Sequence, residues 1–459
     1  MLRPRYVLAL LSLALAAAFM PAAPVLDEES YLDIAQQLSW ARPYDWYRAW
    51  QPWGAEIPAD AYLYAHPPLH LWWIKLTGGA RVAGLLWAGL LGLSAGLLCE
   101  QGRDPWGSAA LFISSPIVGL SLVMTLGIDL PTVALSTAAV ALWFRDRRVF
   151  AGVVLGLACG WKYPALVLVP LLAVFGQRRA LPTLAAFALV FGALELFLWV
   201  QYGRPHLVEV LLTADQIGRG PLLGRAAGVL FRLGTFFGGL SLWAGLGLLP
   251  ALLVEQDMGP LGVALLAVLG GSGLAVLVRA GQRRDFFGCW ALAVVVAVLA
   301  HNYADGRYLL PAVLPLALVC AGLPRARLLA AAGVQGVLCL AMVHAELGYA
   351  RDAASLAVPA DRFTGEWSFH HAMREGGATF WSPDEHLPSG TVVAVPSNAS
   401  PGPVPEDWKP LSSSSSEPGV GLHLIDLERG VGWHAETLGT LPFWYANSPR
   451  ENVRLVEVP

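Results

Sequence analysis

Charge is what this sequence has least of. Of its 459 residues only 14% are Asp, Glu, Lys or Arg, against 56% hydrophobic, and the mean hydropathy is +0.55. Soluble domains carry about 25% charged residues. A water-facing globule of this length is therefore excluded, whereas a chain whose surface meets lipid needs no such cover. Lysine is scarcer still and occurs only at Lys75, Lys162 and Lys409. The net charge of −3 favours no partner class. The five cysteines, Cys99, Cys159, Cys289, Cys320 and Cys339, all lie inside apolar runs. None pairs at metal-ligand spacing, and no disulfide framework is implied, so they read as small core hydrophobes. Heptads and fixed-period repeats are also missing.

What the sequence has in quantity is apolar run. Windows recur at about 6–26, 82–99, 106–128, 130–144, 149–161, 163–176, 180–199, 233–254, 258–278, 286–300, 308–324 and 328–347. Several fall short of the roughly 20 residues of a full crossing, so they tilt or extend into polar flanks. The first follows Arg3 and Arg5 and has the look of a secretory signal, but with many spans behind it a retained helix is expected. Arginines cluster at Arg3/Arg5, Arg103, Arg145/Arg147/Arg148, Arg178/Arg179, Arg279/Arg283/Arg284 and Arg325/Arg327. Positive charge collects on the cytoplasmic side. That places the N-terminus inside and puts the loop 27–81, the turns near Asp129 and Lys162, the loop 200–226, the turn 301–308 and everything after about 348 outside. Twelve windows break this parity. One crossing over 226–278, with the other segment re-entrant or lying flat, restores it and predicts about eleven spans.

Two stretches read as non-membrane. The loop 27–81 is dense in Trp, Tyr and Pro, and its residues 68–77 suit a short helix lying on the membrane. The tail 350–459 is polar and rich in Pro and Ser. Its apolar runs at 391–395 and 420–425 predict a small α/β domain, and the serines 412–416 read as a flexible loop. The expected organisation is an all-α polytopic membrane domain over 1–349 and a soluble extracytoplasmic domain over 350–459.

With that topology the charges that are not topological arginines fall on one side. Asp27, Glu28 and Glu29 follow the first span; His66 precedes Pro67 and Pro68; Asp129 follows the third span; Lys162 lies between two spans; His301, Asp305 and Arg307 share a late turn. Each has a plain structural reading. An acidic run is often a solvated helix end, Asp129 suits a helix cap, and Lys162 suits an interfacial snorkelling lysine. A lone lysine where arginine does the topological work, and an arginine on the side arginine avoids, lean toward function. His66 and His70 have metal spacing, but Pro67 and Pro68 open the helix and leave His66 outside it. An outer carboxylate with Lys and Arg nearby suits group transfer from a phosphate-bearing lipid. The carboxylate takes the proton of an incoming hydroxyl, and the cations hold the departing phosphate.

These residues resemble a known pattern. Asp27-Glu28-Glu29-Ser30-Tyr31 with Ile34-Ala35, His66-Pro67-Pro68-Leu69 with Ala80-Arg81, Gly127-Ile128-Asp129-Leu130-Pro131, Gly156-Leu157 to Trp161-Lys162-Tyr163-Pro164, and Arg307-Tyr308-Leu309-Leu310-Pro311 are similar in order and spacing to glycosyltransferase family 39. That family holds the protein O-mannosyltransferases and lipid A aminoarabinose transferases and has the GT-C membrane fold. The resemblance covers roughly residues 1–345. It implies a polyprenyl-phosphate sugar donor and inverting transfer on the outer face of a cell inner membrane, to a lipid, glycan or protein acceptor. It implies that Asp27 or Glu28 is the base, and that Lys162 and Arg307, with Tyr308 beside them, hold the donor phosphate. It implies that Asp129, His66, Tyr31 and Tyr163 border the substrates, with Tyr31 packing beneath the acidic pair. Aminoarabinose transferases carry a lysine where this chain has His66, which points away from that subgroup. No metal ligand set is evident; some GT-C enzymes use a divalent metal, and the sequence leaves that open. The competing readings are a transporter or flippase for lipid-linked saccharides and a non-catalytic scaffold. No paired broken helices in two related halves appear, as a transporter often shows. Retention of the acidic pair with Lys162 and Arg307 argues against decay.

Overall fold

The computed structural model describes residues 3–20, 28–45, 66–213, 222–235, 260–300, 305–356, 358–381, 385–399, 404–416, 419–427, 429–434 and 442–459. Asp27, His301 and the disputed segment 236–259 lie outside the described residues.

The apolar windows become helices that are hydrophobic on every side, as helices packed among lipid and other helices must be. They run Pro4–Phe19, Gly84–Cys99, Asp129–Phe144, Arg148–Trp161, Leu181–Tyr202, Pro260–Gln282, Phe286–Ala300, Leu310–Cys320 and Arg325–Ser355, with shorter pieces between. Among the described residues three runs are long and apolar enough to cross a bilayer: Arg81–Cys99, Tyr163–Tyr202 and Arg325–Ser355. A fourth joins them if Pro105–Ile113 and Pro116–Val123, bent by 55°, count as one broken span. The count of about eleven expected from the sequence rests on six further apolar helices of 10–17 residues, each short of a full crossing, and on 236–259. Leu189, Val200 and Val337 stand 74%, 73% and 71% exposed on the outer faces, a surface that suits lipid and not water.

Glycine sets how closely the helices approach. A Cβ on Gly92 would lie 2.4 Å from the Leu8 carbonyl oxygen, and one on Gly96 would lie 2.2 Å from the Arg5 Cα. Gly152 meets the Thr183 carbonyl oxygen in the same way at 2.1 Å. Small residues four apart let backbones touch where no side chain would fit. The break at Ser115 has its own cause. Pro116 offers no N–H and pushes the residue before it out of helical geometry; Ser115 is extended at φ −64°, ψ 129°.

The stretch 68–77 forms a helix over Leu69–Thr77, closed by Gly78 in the left-handed conformation. Its Lys75 reaches back to the Leu38 carbonyl (2.6 Å) and caps the helix Glu28–Gln37.

Among its described residues the tail forms nine short strands: β1 (Arg362–Phe363), β2 (Thr379–Phe380), β3 (Val392–Pro396), β4 (Lys409–Ser415), β5 (Gly419–His423), β6 (Ile425–Asp426), β7 (Val431–Gly432), β8 (Trp444–Ser448) and β9 (Asn452–Glu457). A mixed sheet runs β2-β1-β3-β9-β4, and β5-β8 and β6-β7 form two small ribbons. The serine run is therefore a strand and not a loop. Its side chains are exposed, but its backbone pairs antiparallel with β9, with a register shift at Pro410, which lacks an N–H and so suits an edge. The helix Arg325–Ser355 runs through position 350 into the tail and is tied to it by buried polar contacts. Tyr349 donates to Glu451 Oε2 (2.9 Å), and Arg450 pairs with Asp352 (2.9 Å).

Candidate active site

Five of the residues singled out by sequence, Asp129, Lys162, Asp305, Arg307 and Tyr308, meet at one end of the bundle. Ile128 takes the N-cap of the helix Asp129–Phe144, so Asp129 opens the helix without serving as its cap. Its Oδ1 instead accepts from Lys162 Nζ at 2.7 Å, and its Oδ2 lies 3.7 Å from Arg307 Nε. Lys162 follows directly on the helix Arg148–Trp161 and is itself extended (φ −157°). Pro164 two residues later cannot continue that helix. The Lys162 ammonium sits 4.2 Å from the centroid of the Tyr308 ring, with the Arg307 guanidinium 5.5 Å from the same ring. Asp305 completes the cluster: its Oδ1 accepts the Arg307 N–H (2.9 Å) and its Oδ2 pairs with the Arg307 guanidinium. Asp305 is fully buried, and burial pushes its carboxyl up against the pull of Arg307. Two cations thus face an aromatic ring and are held by two carboxylates in a nearly dry setting, where charge-assisted bonds are strong.

Glu28 sits in a neighbouring cage. It is completely buried; Arg81 reaches its Oε2 at 3.0 Å, and the Leu126 N–H donates to its Oε1 at 2.8 Å. Arg81 also holds the Val123 carbonyl (3.1 Å) and the Thr125 hydroxyl (3.3 Å). The short loop between the broken helix and Asp129 therefore carries the walls of both sites. Tyr31 is buried and meets His70 edge-on at 4.7 Å.

Other expected residues go elsewhere. Tyr163, beside Lys162 in the chain, faces a different group: its hydroxyl donates to Glu195 Oε1 (2.9 Å) and meets His206 Nδ1, and the Leu207 N–H donates to Glu195 Oε2 (3.1 Å). His66 offers its carbonyl to the Tyr44 hydroxyl (2.7 Å), and Tyr44 stacks on His206 at 4.9 Å. Sequence reasoning missed the ionic role of Arg81, the burial of His70 and the bridge that Tyr163 makes between Glu195 and His206. Arg81 alone had a signal, as an arginine on the side arginines avoid. Among the described residues no three His, Cys, Asp or Glu side chains converge as a metal site.

No protein-family model matches the chain, and no curated protein matches it significantly. Two solved structures are similar to it, both of ArnT from Cupriavidus metallidurans, one bound to undecaprenyl phosphate and one in the apo state. The first is 14% identical over 77% of this chain with a TM-score of 0.47; the second is 14% identical over 78% with a TM-score of 0.39. This chain spans 65% of the first and 82% of the second. Both scores lie under one half, so the likeness carries no inference about chemistry.

Proposed function

We propose that this protein is a GT-C-like membrane glycosyltransferase that moves a sugar from a polyprenyl-phosphate donor to an acceptor hydroxyl. Transfer takes place on the outer face of a cell inner membrane, with the N-terminus cytoplasmic and residues 350–459 extracytoplasmic. The observation that carries this reading is the convergence of Lys162 and Arg307 on Asp129 beside the Tyr308 ring. Two cations from distant parts of the chain are kept together against their own repulsion, which is the arrangement a phosphate diester or monoester needs.

In the reaction the acceptor oxygen attacks the anomeric carbon from the face opposite the phosphate. The new C–O bond forms as the bond from that carbon to the phosphate oxygen breaks, so the configuration inverts. The polyprenyl phosphate leaves with the electron pair and is stabilised by Lys162 and Arg307. The hydroxyl proton passes to a carboxylate. Of the two candidates, Glu28 has both oxygens engaged, by Arg81 and by the Leu126 N–H. A carboxylate with both oxygens taken in this way is poorly placed to receive the proton of an incoming hydroxyl. We assign the base to Asp27 and give Glu28 the part of anchoring the helix that follows it. Tyr31 lies on the helix that Glu28 opens and meets His70 edge-on, while Tyr163 and His66 belong to the adjoining aromatic group that borders the substrates.

The test is equilibrium binding of undecaprenyl phosphate to the protein in nanodiscs. A charge-assisted bond is worth about 1.5–3 kcal/mol, so Lys162→Ala is expected to weaken binding by tenfold or more. Unchanged affinity in Lys162→Ala contradicts the site.

A further inference from the structure

The turn that presents Arg307 is gripped by the tail. Trp433 is 1% exposed and is among the largest fully buried side chains of the molecule. Its N–H is fixed within the tail on the Leu424 carbonyl (2.8 Å). Its carbonyl points the other way, to the Gly306 N–H (3.3 Å) and to Arg232 Nε (2.9 Å). Arg232 is itself completely buried, also donates to the Gly432 carbonyl, and donates back to the Gly228 carbonyl of its own helix at 3.1 Å. Gly306, the residue before Arg307, has no room for a side chain: a Cβ there would come within 2.5 Å of the Trp433 ring. Next in the chain, His434 reaches Glu346 Oε2 of the helix Arg325–Ser355 at 3.1 Å. A fully buried arginine on backbone carbonyls of a distant segment is expensive to assemble unless every donor is used.

Resting on the function proposed above, we infer that Trp433 is a positioning residue for the donor site. The tail reaches the chemistry by wedging Trp433 against Gly306, so that Arg307 is held facing Asp129 and the Tyr308 ring. The tail then sets donor affinity without touching the donor.

A double-mutant cycle tests this, read as undecaprenyl phosphate affinity of the full-length protein in nanodiscs. The variants are Trp433→Ala, Arg307→Ala and the two combined. If Trp433 acts through Arg307, Trp433→Ala weakens binding roughly tenfold in the wild-type background. It then weakens binding no further once Arg307 is gone. Gly306→Ala approaches the same contact from the other side and serves if Trp433→Ala does not fold; it is expected to couple to Arg307 in the same manner. Losses of equal size with and without Arg307 overturn the positioning role while leaving the donor site standing. Wild-type affinity in Arg307→Ala overturns the donor site itself.

Discussion

Lys162 owes its place to a proline. Pro164 ends the helix Arg148–Trp161, and the extended Lys162 that follows sends its ammonium to Asp129 and the Tyr308 ring. Charge and not bulk does the work there, so Lys162→Arg is expected to retain most of the donor affinity that Lys162→Ala loses; equal losses in both would assign the position to shape. His70 carries a separate prediction. Burial lowers its pKa from 6.5 to about 3, so the folded protein keeps the ring neutral. As pH falls below about 6.5 the unfolded chain gains a proton that the folded one refuses, and stability drops, by about 2 kcal/mol at pH 5 from this group alone. Melting temperature measured from pH 7 to 5 is expected to fall less steeply in His70→Phe than in wild type. Parallel curves would remove His70 as the source. Spacing alone makes His66 and His70 a pair, but Pro67 and Pro68 turn one toward Tyr44 and the other into the core, and only the second half of that outcome was unreadable from the sequence.

At the scale of elements, the helices were legible because apolar residues run on for long stretches and nothing else satisfies a backbone in lipid. Their contacts were not, since a helix that is hydrophobic on all sides does not announce which face meets which neighbour. Glycines supply part of that information. Gly152 is pressed on the Thr183 carbonyl, whereas Gly192, on the partner helix Leu181–Tyr202, has nothing within 4 Å. Gly152→Ala is expected to destabilise by about 1–3 kcal/mol through overpacking. Gly192→Ala is expected to be neutral or to stabilise by about 0.5–1 kcal/mol, as a helix-interior glycine exchanged for alanine. Thermal unfolding in one detergent separates them; similar shifts for both would mean the close approach at Gly152 does not exist. The serine strand β4 was hidden for the opposite reason. Its composition has little β preference, and what makes it a strand is a partner, β9, nearly forty residues further on.

For the molecule as a whole, the arginine bias gave a direction that local structure cannot. Of the charged residues outside that bias, Asp129, Lys162, Asp305 and Arg307 meet in one cluster and Glu28 sits in the cage that Arg81 closes. The docking of the tail was invisible in the sequence, because no periodicity links Arg232 or Gly306 to Trp433. Orientation is open to a direct check. Cysteine labelling from outside intact cells is expected to reach a site engineered near residue 459 and to miss one near residue 3; the reverse would turn the topology over and put the Asp129 cluster on the inner face, and labelling of both sites or of neither would require an even number of crossings.

The central claim is transfer, and one measurement meets it most directly. Purified protein in nanodiscs is given a panel of radiolabelled polyprenyl-phosphate sugars with a membrane extract, and label reaching an acceptor is compared among wild type, Asp27→Asn and Glu28→Gln. We expect transfer from one donor by the wild type, abolished in Asp27→Asn and retained in part by Glu28→Gln. A wild-type protein that binds lipid-linked sugar tightly but passes none of it on would contradict the account and leave a carrier of such lipids in its place.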